Sequence, residues 1–109
     1  NDYDNDYSDE DDYDDSDDYD YYDEYIIPDS DVRKITKSEV LALSKEERWI
    51  SNNEIYARYG RIFNNQDLQE YFDGLDWYIP TTSPDDFDES VFSKVEKYNV
   101  RLLAKYENQ

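Results

Sequence analysis

The sequence predicts an all-α fold: a small domain of about four helices preceded by a disordered acidic arm. Serine or threonine stands three residues before glutamate at Thr36 and Glu39 and again at Ser44 and Glu47, a spacing typical of helix N-termini. Apolar residues recur every three or four positions toward the C-terminus. No segment of useful length alternates apolar and polar residues as a strand does.

The acidic arm, residues 1–25, holds fourteen acidic side chains, seven tyrosines and no basic residue. It also lacks Leu and Val, and its charges repel one another, so we interpret it as a disordered spacer. A calcium-binding strip, a site for modified tyrosines and an arm for a basic partner are alternatives. The chain has a formal charge of -19, and residues 26–109 contribute only about -5 of it.

Residues 26–34 are expected to form an N-terminal strap that leads into the helical domain at residues 35–109. Ile26 and Ile27 are its apolar residues, and Pro28 marks the change of composition. We expect the two isoleucines to pack on the domain and to fix the point at which the acidic arm departs.

The first two helices follow from the two N-terminal signals. A short helix is predicted after Thr36, and a second helix from Ser44 to Tyr59. Gly60 supplies the positive-φ position at which the second helix can end.

The last two helices are predicted from caps and apolar periodicity. A third helix is expected after a cap at Asn64, Asn65 or Asp67, ending at Gly74. Ser83 and Pro84 resemble another helix start, and apolar residues then recur to Tyr106. We therefore predict that the longest helix runs from about residue 88 to 106.

The end of the second helix carries the main candidate for a binding site. Tyr56, Arg58, Tyr59 and Arg61 offer two phenols and two guanidiniums, which suit a carboxylated peptide or wall fragment. A purely structural interpretation is favoured, because a cap, an ion pair and a packing stripe already explain the motif. The tyrosines would then pack, and three further residues would serve the structural motif: Glu54 in a surface ion pair with Arg58, Asn53 as a buried amide bonded to a loop backbone, and Gly60 as the helix cap.

Trp77 and Tyr78 form a second candidate on a loop bounded by Pro80. Exposed aromatic rings there would suit sugars or peptide side chains, whereas buried rings would close the core. Burial is the simpler interpretation in a small domain with two tryptophans, and Trp49 is interpreted in the same way.

Catalysis is not expected. The chain has neither cysteine nor histidine, which removes disulfides, thiolate catalysis, usual zinc sites and Ser-His dyads, so we expect no metal and no cofactor. A glycosidase-type carboxylate pair is the remaining option. Its candidates, which capping and solubility explain more simply, are Glu70, Asp73, Asp76, Asp85 and Asp86. Nucleic acid and anionic membranes are disfavoured as partners, because the acidic arm repels phosphate and no stripe of Lys and Arg is apparent.

Three segments resemble the YARHG domain, a bacterial family: NEIYARYGRIF, LQEYFDGLDWY and VEKYNVRLLAKYE. The resemblance covers residues 35–107. Two positions depart from the family pattern, since Tyr59 stands where the family has His and Asn52 where it usually has Arg. The resemblance implies a location outside the membrane and implies no biochemical activity.

We therefore expect a non-catalytic, extracellular or cell-envelope binding module of a bacterial membrane-anchored protein, held off the surface by the acidic arm. Its partner would be a cell-wall component or an extracellular protein. The alternative is the extracellular sensory domain of a transmembrane signalling protein, and a third option is capture of a cationic peptide by the acidic arm. The chain begins with Asn1 and has no Met, so we expect a piece of a longer protein whose anchor lies upstream.

Overall fold

The computed structural model describes residues 24–109, which form four α-helices and one short 3₁₀ helix. The α-helices are α1 (Lys37–Ala42), α2 (Lys45–Ala57), α3 (Gln66–Asp73) and α4 (Lys94–Lys105), and the 3₁₀ helix is Glu89–Val91. The prediction of an all-α domain with four helices is confirmed. Within residues 24–109 the only extended pairing is an isolated bridge between Arg61 and Thr82. The interpretation of residues 1–23 as a spacer lies outside the described residues.

Local capping sets the starts of the first three helices, as the sequence predicts. Thr36 accepts a hydrogen bond from the Glu39 amide at 3.1 Å, and its own amide donates to the Glu39 carboxylate at 2.8 Å. Ser44 begins α2 with the same reciprocal pair. Asn65 caps α3 by accepting from the Leu68 amide at 3.0 Å, and the helix ends at Gly74.

The prediction that the last helix starts near residue 88 is wrong. Ser93 and Glu96 form a third capping box, which starts α4 at Lys94. Phe92 has an extended backbone (ψ 142°) that separates α4 from the 3₁₀ helix, while its ring is buried. The apolar periodicity before residue 92 therefore reflects packing of a loop. At 12 residues, α4 is also shorter than α2, which has 13.

Helix α2 lies at the centre of two apolar clusters. The first joins α1, α2, α4 and the N-terminal strap, and its buried residues are Ile27, Ile35, Val40, Ile55, Phe92 and Leu103. The second joins α2 to α3 and the loop that follows it, and its buried residues are Ile50, Ala57, Phe63, Leu68, Phe72 and Tyr78. Ile26 and Tyr56 pack against both clusters, so the strap and the end of α2 connect the two halves of the core.

Gly60 turns the chain out of α2 with a φ of +84°, as predicted. Its carbonyl accepts hydrogen bonds from the amides of Thr81 and Thr82 at 2.8 and 3.1 Å. A β-carbon at this position would collide with Thr81 Oγ1 and lie 2.8 Å from the Ile79 carbonyl. Glycine is therefore required here both by backbone conformation and by the close approach of the 79–82 segment.

The N-terminal strap is fixed to the domain by buried polar side chains. Glu54 on α2 accepts hydrogen bonds from the amides of Ile26 and Ile27 at 2.9 and 3.3 Å. Asn99 on α4 accepts from the Ile35 amide at 3.0 Å and donates to two strap carbonyls at 2.8 Å each. The predicted ion pair between Glu54 and Arg58 is present, at 3.9 Å, but Glu54 has no exposed surface, so the prediction that the pair lies on the helix surface is wrong.

Candidate functional site

A shallow cleft of about 240 Å³ lies between the second half of α2, the segment that leaves it, and the loop before α4. Its lining combines two carboxamides, one guanidinium, one carboxylate and two aromatic rings. The lining residues are Asn52, Asn53, Tyr56, Arg61, Pro84, Phe87 and Glu89. Two of the predicted binding residues, Tyr56 and Arg61, are thus brought together.

Tyr56 forms one wall of the cleft and is held rigidly. Its ring packs edge-on against Phe92 at 5.0 Å and lies 5.5 Å from Phe87. Its hydroxyl donates a 2.9 Å hydrogen bond to Glu89. Burial, together with this bond, raises the pKa of Tyr56 to about 12. The phenol therefore stays protonated at neutral pH, so it is a hydrogen-bond donor and not a base.

Arg61 supplies the positive charge of the cleft. Its guanidinium carbon lies 5.4 Å from the centre of the Tyr56 ring and 5.1 Å from that of Phe63. Within residues 24–109, no carboxylate lies within ion-pair distance of this group and no acceptor is hydrogen-bonded to it. The aromatic contacts orient the guanidinium while leaving its N–H groups available to a ligand.

Two asparagines line the helical side of the cleft. Asn53 donates to the Trp49 carbonyl of its own helix at 2.9 Å and is half-buried. The prediction that Asn53 is a buried amide bonded to a loop backbone is therefore wrong. Asn52 donates a long 3.4 Å bond to Glu107, and its buried Oδ1 accepts no hydrogen bond from the described residues.

Arg58 and Tyr59, also predicted as binding residues, lie elsewhere and serve the fold. Arg58 donates to Ser30 Oγ at 2.9 Å and to two strap carbonyls, and its side chain is 12% exposed. Tyr59 donates a short 2.6 Å hydrogen bond to the buried carboxylate of Glu96. Burial, together with this bond, raises the pKa of Tyr59 to about 12. The single predicted patch is thus divided, with Tyr56 and Arg61 in the cleft and the other two residues outside it.

The second predicted site, at Trp77 and Tyr78, is also mostly structural. Tyr78 is buried and donates to the Arg61 carbonyl at 2.7 Å, which supports the backbone of the cleft. Trp77 is half-buried and stacks on Tyr25 at 4.8 Å, and its indole N–H donates to the Glu24 carbonyl at 3.4 Å. The folded part of the chain therefore includes the last two residues of the acidic arm.

The acidic residues considered for a glycosidase-type pair are exposed, and none of them lines the cleft. The described part of the chain contains no group of three or more side chains placed to hold a metal ion. No helix within residues 24–109 combines the length and the apolar character needed to cross a membrane.

Sequence reasoning missed the loop side of the cleft, at Pro84, Phe87 and Glu89. These residues lie more than 25 positions after Tyr56, and local patterns do not reveal such a contact.

Sequence reasoning also missed a stripe of Lys and Arg. The statement that no such stripe exists is wrong, because Lys94, Lys97, Arg101 and Lys105 share the exposed face of α4.

The fold and the cleft define a small all-α domain with a shallow, polar surface site. A comparison with family models matches residues 23–108 to the YARHG domain. The match spans well over half of the chain, so the chain belongs to the YARHG domain family, as its motifs predict. No curated protein and no solved structure matched.

Proposed function

We propose that this domain is a non-catalytic binding module of the bacterial cell envelope and that its cleft binds a carboxylate of a cell-wall peptide or an extracellular protein. The proposal rests on the environment of Arg61. Its guanidinium is held over two aromatic rings at the cleft, and no carboxylate of residues 24–109 neutralises it.

The chemistry of the cleft fits a charged peptide end. An oriented guanidinium binds a carboxylate through two parallel hydrogen bonds, with a geometry that lysine cannot reproduce. Glu89 lines the same cleft and would attract an ammonium group on the same ligand. Asn53 can exchange hydrogen bonds with peptide groups, and the rings of Tyr56 and Phe87 can cover an aliphatic side chain.

Size and protonation favour binding over catalysis. The volume of about 240 Å³ lies below the range of roughly 300–1,000 Å³ that encloses small-molecule substrates, so the cleft suits a chain end or one side chain. Tyr56 remains a neutral phenol, and Glu89 is the only carboxylate among the lining residues. A single carboxylate cannot supply the acid and base pair of a glycosidase.

The proposed location rests on the resemblance described above and on no feature of the fold. An acidic arm upstream of the domain suits a spacer that holds a binding module away from a surface.

A sensory domain is the second candidate, and one observation favours it. The cleft residues Asn53 and Tyr56 flank Glu54, which bonds the strap that leads to the acidic arm. A ligand that shifted this turn of α2 would move the strap directly. The strap would then transmit the signal toward the acidic arm.

The test is a titration of the ¹⁵N-labelled chain with soluble peptidoglycan fragments, followed by amide chemical shifts. We expect saturable shifts at Asn53, Tyr56 and Arg61 that are lost in Arg61→Gln. Lys45→Gln removes an exposed cation elsewhere on the surface and should leave the shifts intact. Absence of shifts would exclude wall fragments, and equal shifts in Arg61→Gln would exclude the cleft. Shifts that spread into Ile26 and Ile27 would favour the sensory candidate.

A further inference from the structure

All charged residues on the exposed face of α4 are cationic, although the protein as a whole is acidic. Its charged residues, which we call the cationic face, are Lys94, Lys97, Arg101 and Lys105. They are spaced at three and four positions and therefore lie along one side of the helix. The only acid of α4, Glu96, is 3% exposed and faces the core.

The cationic face has few contacts within the described part of the chain: Lys97 interacts electrostatically with Asp88, and Lys105 Nζ lies 5.4 Å from the centre of the Tyr106 ring. None of its four residues forms an ion pair with a carboxylate of residues 24–109. Two further cations extend it sideways, because Lys34 Nζ lies 4.8 Å from the Tyr98 ring and Lys37 Nζ lies 5.4 Å from the Tyr106 ring. More than half of the eleven basic residues are thus gathered on one surface.

We propose that residues 1–23 of the acidic arm bind to the cationic face of α4 in the same molecule. This segment carries thirteen acidic side chains, six tyrosines and no basic residue, so its charge complements the face. Opposite charges on one chain meet at a high effective concentration, which allows many weak contacts to give a populated complex.

Tyr25 shows how the arm's tyrosines contact a basic group. Its ring lies 4.7 Å from the Arg58 guanidinium carbon while stacking on Trp77. Six more tyrosines precede it among acids, and each offers a ring to a cation beside a carboxylate. The cationic face presents both lysine and arginine groups for such contacts.

The geometry allows the arm to reach α4. Arg58, which holds Tyr25, also donates to Ser30 Oγ, and the Ser30 carbonyl accepts from Asn99 of α4. Tyr25, at the end of the arm, is therefore linked to α4 through Arg58 and Ser30. Twenty-three residues extend up to ~75 Å, whereas a helix of α4's length spans only ~18 Å.

The absence of cysteine permits a direct test on the full chain. Ser8→Cys and Ser16→Cys, made one at a time and labelled with a nitroxide, would report contacts through paramagnetic relaxation of ¹⁵N amides. At about 10 mM salt, where the Debye length is ~30 Å, we expect the enhancement to concentrate on the exposed positions of α4. At about 1 M salt, where the Debye length is ~3 Å, it should largely disappear.

Two variants separate a specific contact from a general charge effect. The combined variant Lys94→Gln, Lys97→Gln and Arg101→Gln should lose most of the enhancement. The combination Lys45→Glu and Asn64→Asp lowers the net charge by the same amount at exposed positions outside α4 and should retain the enhancement. An unchanged dispersion of amide signals verifies the fold of both variants.

Three results would overturn the proposal. Enhancement spread evenly over the domain would show that the arm has no preferred surface. Equal enhancement in the triple-glutamine variant, or at high salt, would show that the charges of the face are not responsible. The last control mixes a ¹⁴N chain that carries the nitroxide with a ¹⁵N chain that does not. If the ¹⁵N amides of this mixture show the same enhancement as the singly labelled protein, the contact forms between two molecules rather than within one.

Discussion

The backbone N–H of Ile26 donates a 2.9 Å hydrogen bond to the carboxylate of Glu54, which ties the N-terminal strap to the middle of α2. The other carboxylate oxygen accepts from the Ile27 amide. Burial raises the pKa of Glu54 to about 7, although these two hydrogen bonds and the nearby Arg58 act in the opposite direction. The strap is therefore attached to α2 through a carboxyl group whose pKa lies near neutral pH.

Glu54→Gln should make the stability of the domain less dependent on pH. A folded-state pKa above the ordinary 4.5 means that Glu54 stabilises the fold fully below about pH 4.5, and that this contribution is lost as the pH rises through 7. Between pH 5 and pH 8.5, the unfolding free energy of the wild type should therefore fall by about 1–3 kcal/mol relative to that of the variant.

Urea unfolding of both proteins at the two pH values measures this difference. The acidic arm titrates alike in both, so it cancels in the comparison. Glu70→Gln removes an exposed carboxylate from α3 and should follow the wild type at both pH values. A stability difference between wild type and Glu54→Gln that is the same at pH 5 and pH 8.5 would contradict the assignment of Glu54.

Arg58→Lys should weaken the attachment of the strap. The guanidinium donates to Ser30 Oγ and to the carbonyls of Ile27 and Pro28, and a lysine ammonium cannot make this set of bonds in the same geometry. We expect a loss of about 1–3 kcal/mol in unfolding free energy and faster hydrogen exchange at the strap amides. Arg33→Lys alters exposed ion pairs with Asp29 and Glu39, so its effect should stay below about 1 kcal/mol. Equal effects of the two substitutions would remove the special role of Arg58.

The two glycines should respond oppositely to alanine. Gly60→Ala places a β-carbon against Thr81 at a φ of +84° and should cost about 1–3 kcal/mol. Gly74 has a helical φ of -80°, and its β-carbon would make only ordinary contacts, the nearest at 3.6 Å. Gly74→Ala should therefore raise the unfolding free energy by up to about 1 kcal/mol. Thermal unfolding of the two variants side by side gives the comparison, and a tolerated Gly60→Ala would contradict the observed turn.

Asn99→Ala should be among the most damaging single substitutions. The buried side chain bonds the Ile35 amide and the carbonyls of Ser30 and Arg33, and all three would lose their partner. The expected loss is about 2–4 kcal/mol, measured by chemical denaturation. Asn64→Ala, at an exposed position, should change stability by less than about 0.5 kcal/mol. A small effect at Asn99 would mean that water replaces the side chain.

The parts of the fold encoded by neighbouring residues were predictable from the sequence. The capping boxes at Thr36 and Ser44 depend on contacts within four residues, and the positive φ at Gly60 is a local signal for the end of a helix; the structure matches all three. The start of α4 was missed because the apolar spacing before Ser93 continues that of the helix. Periodicity does not distinguish a packed loop from another helical turn.

The candidate site was predictable only in part, for a related reason. Tyr56 and Arg61 lie close in sequence and share the cleft, whereas Glu89 comes from a distant loop. Arg58 has the same side-chain chemistry as Arg61, yet it bonds the strap, which a sequence pattern at residues 54–58 does not reveal. The cationic face of α4 was hidden by the net charge, because composition gives no information on how charges are distributed in space.

The side-chain Nε–H resonance of Arg61 tests the proposed binding site most directly. The ¹⁵N-labelled chain would be titrated with the peptide lysyl-D-alanyl-D-alanine and, separately, with the same peptide carrying a C-terminal amide. Because the guanidinium is proposed to bind the carboxylate, we expect the Arg61 signal to shift saturably with the acid and to stay in place with the amide. An Arg61 signal that shifts with neither peptide, or shifts equally with both, would contradict the proposed binding site.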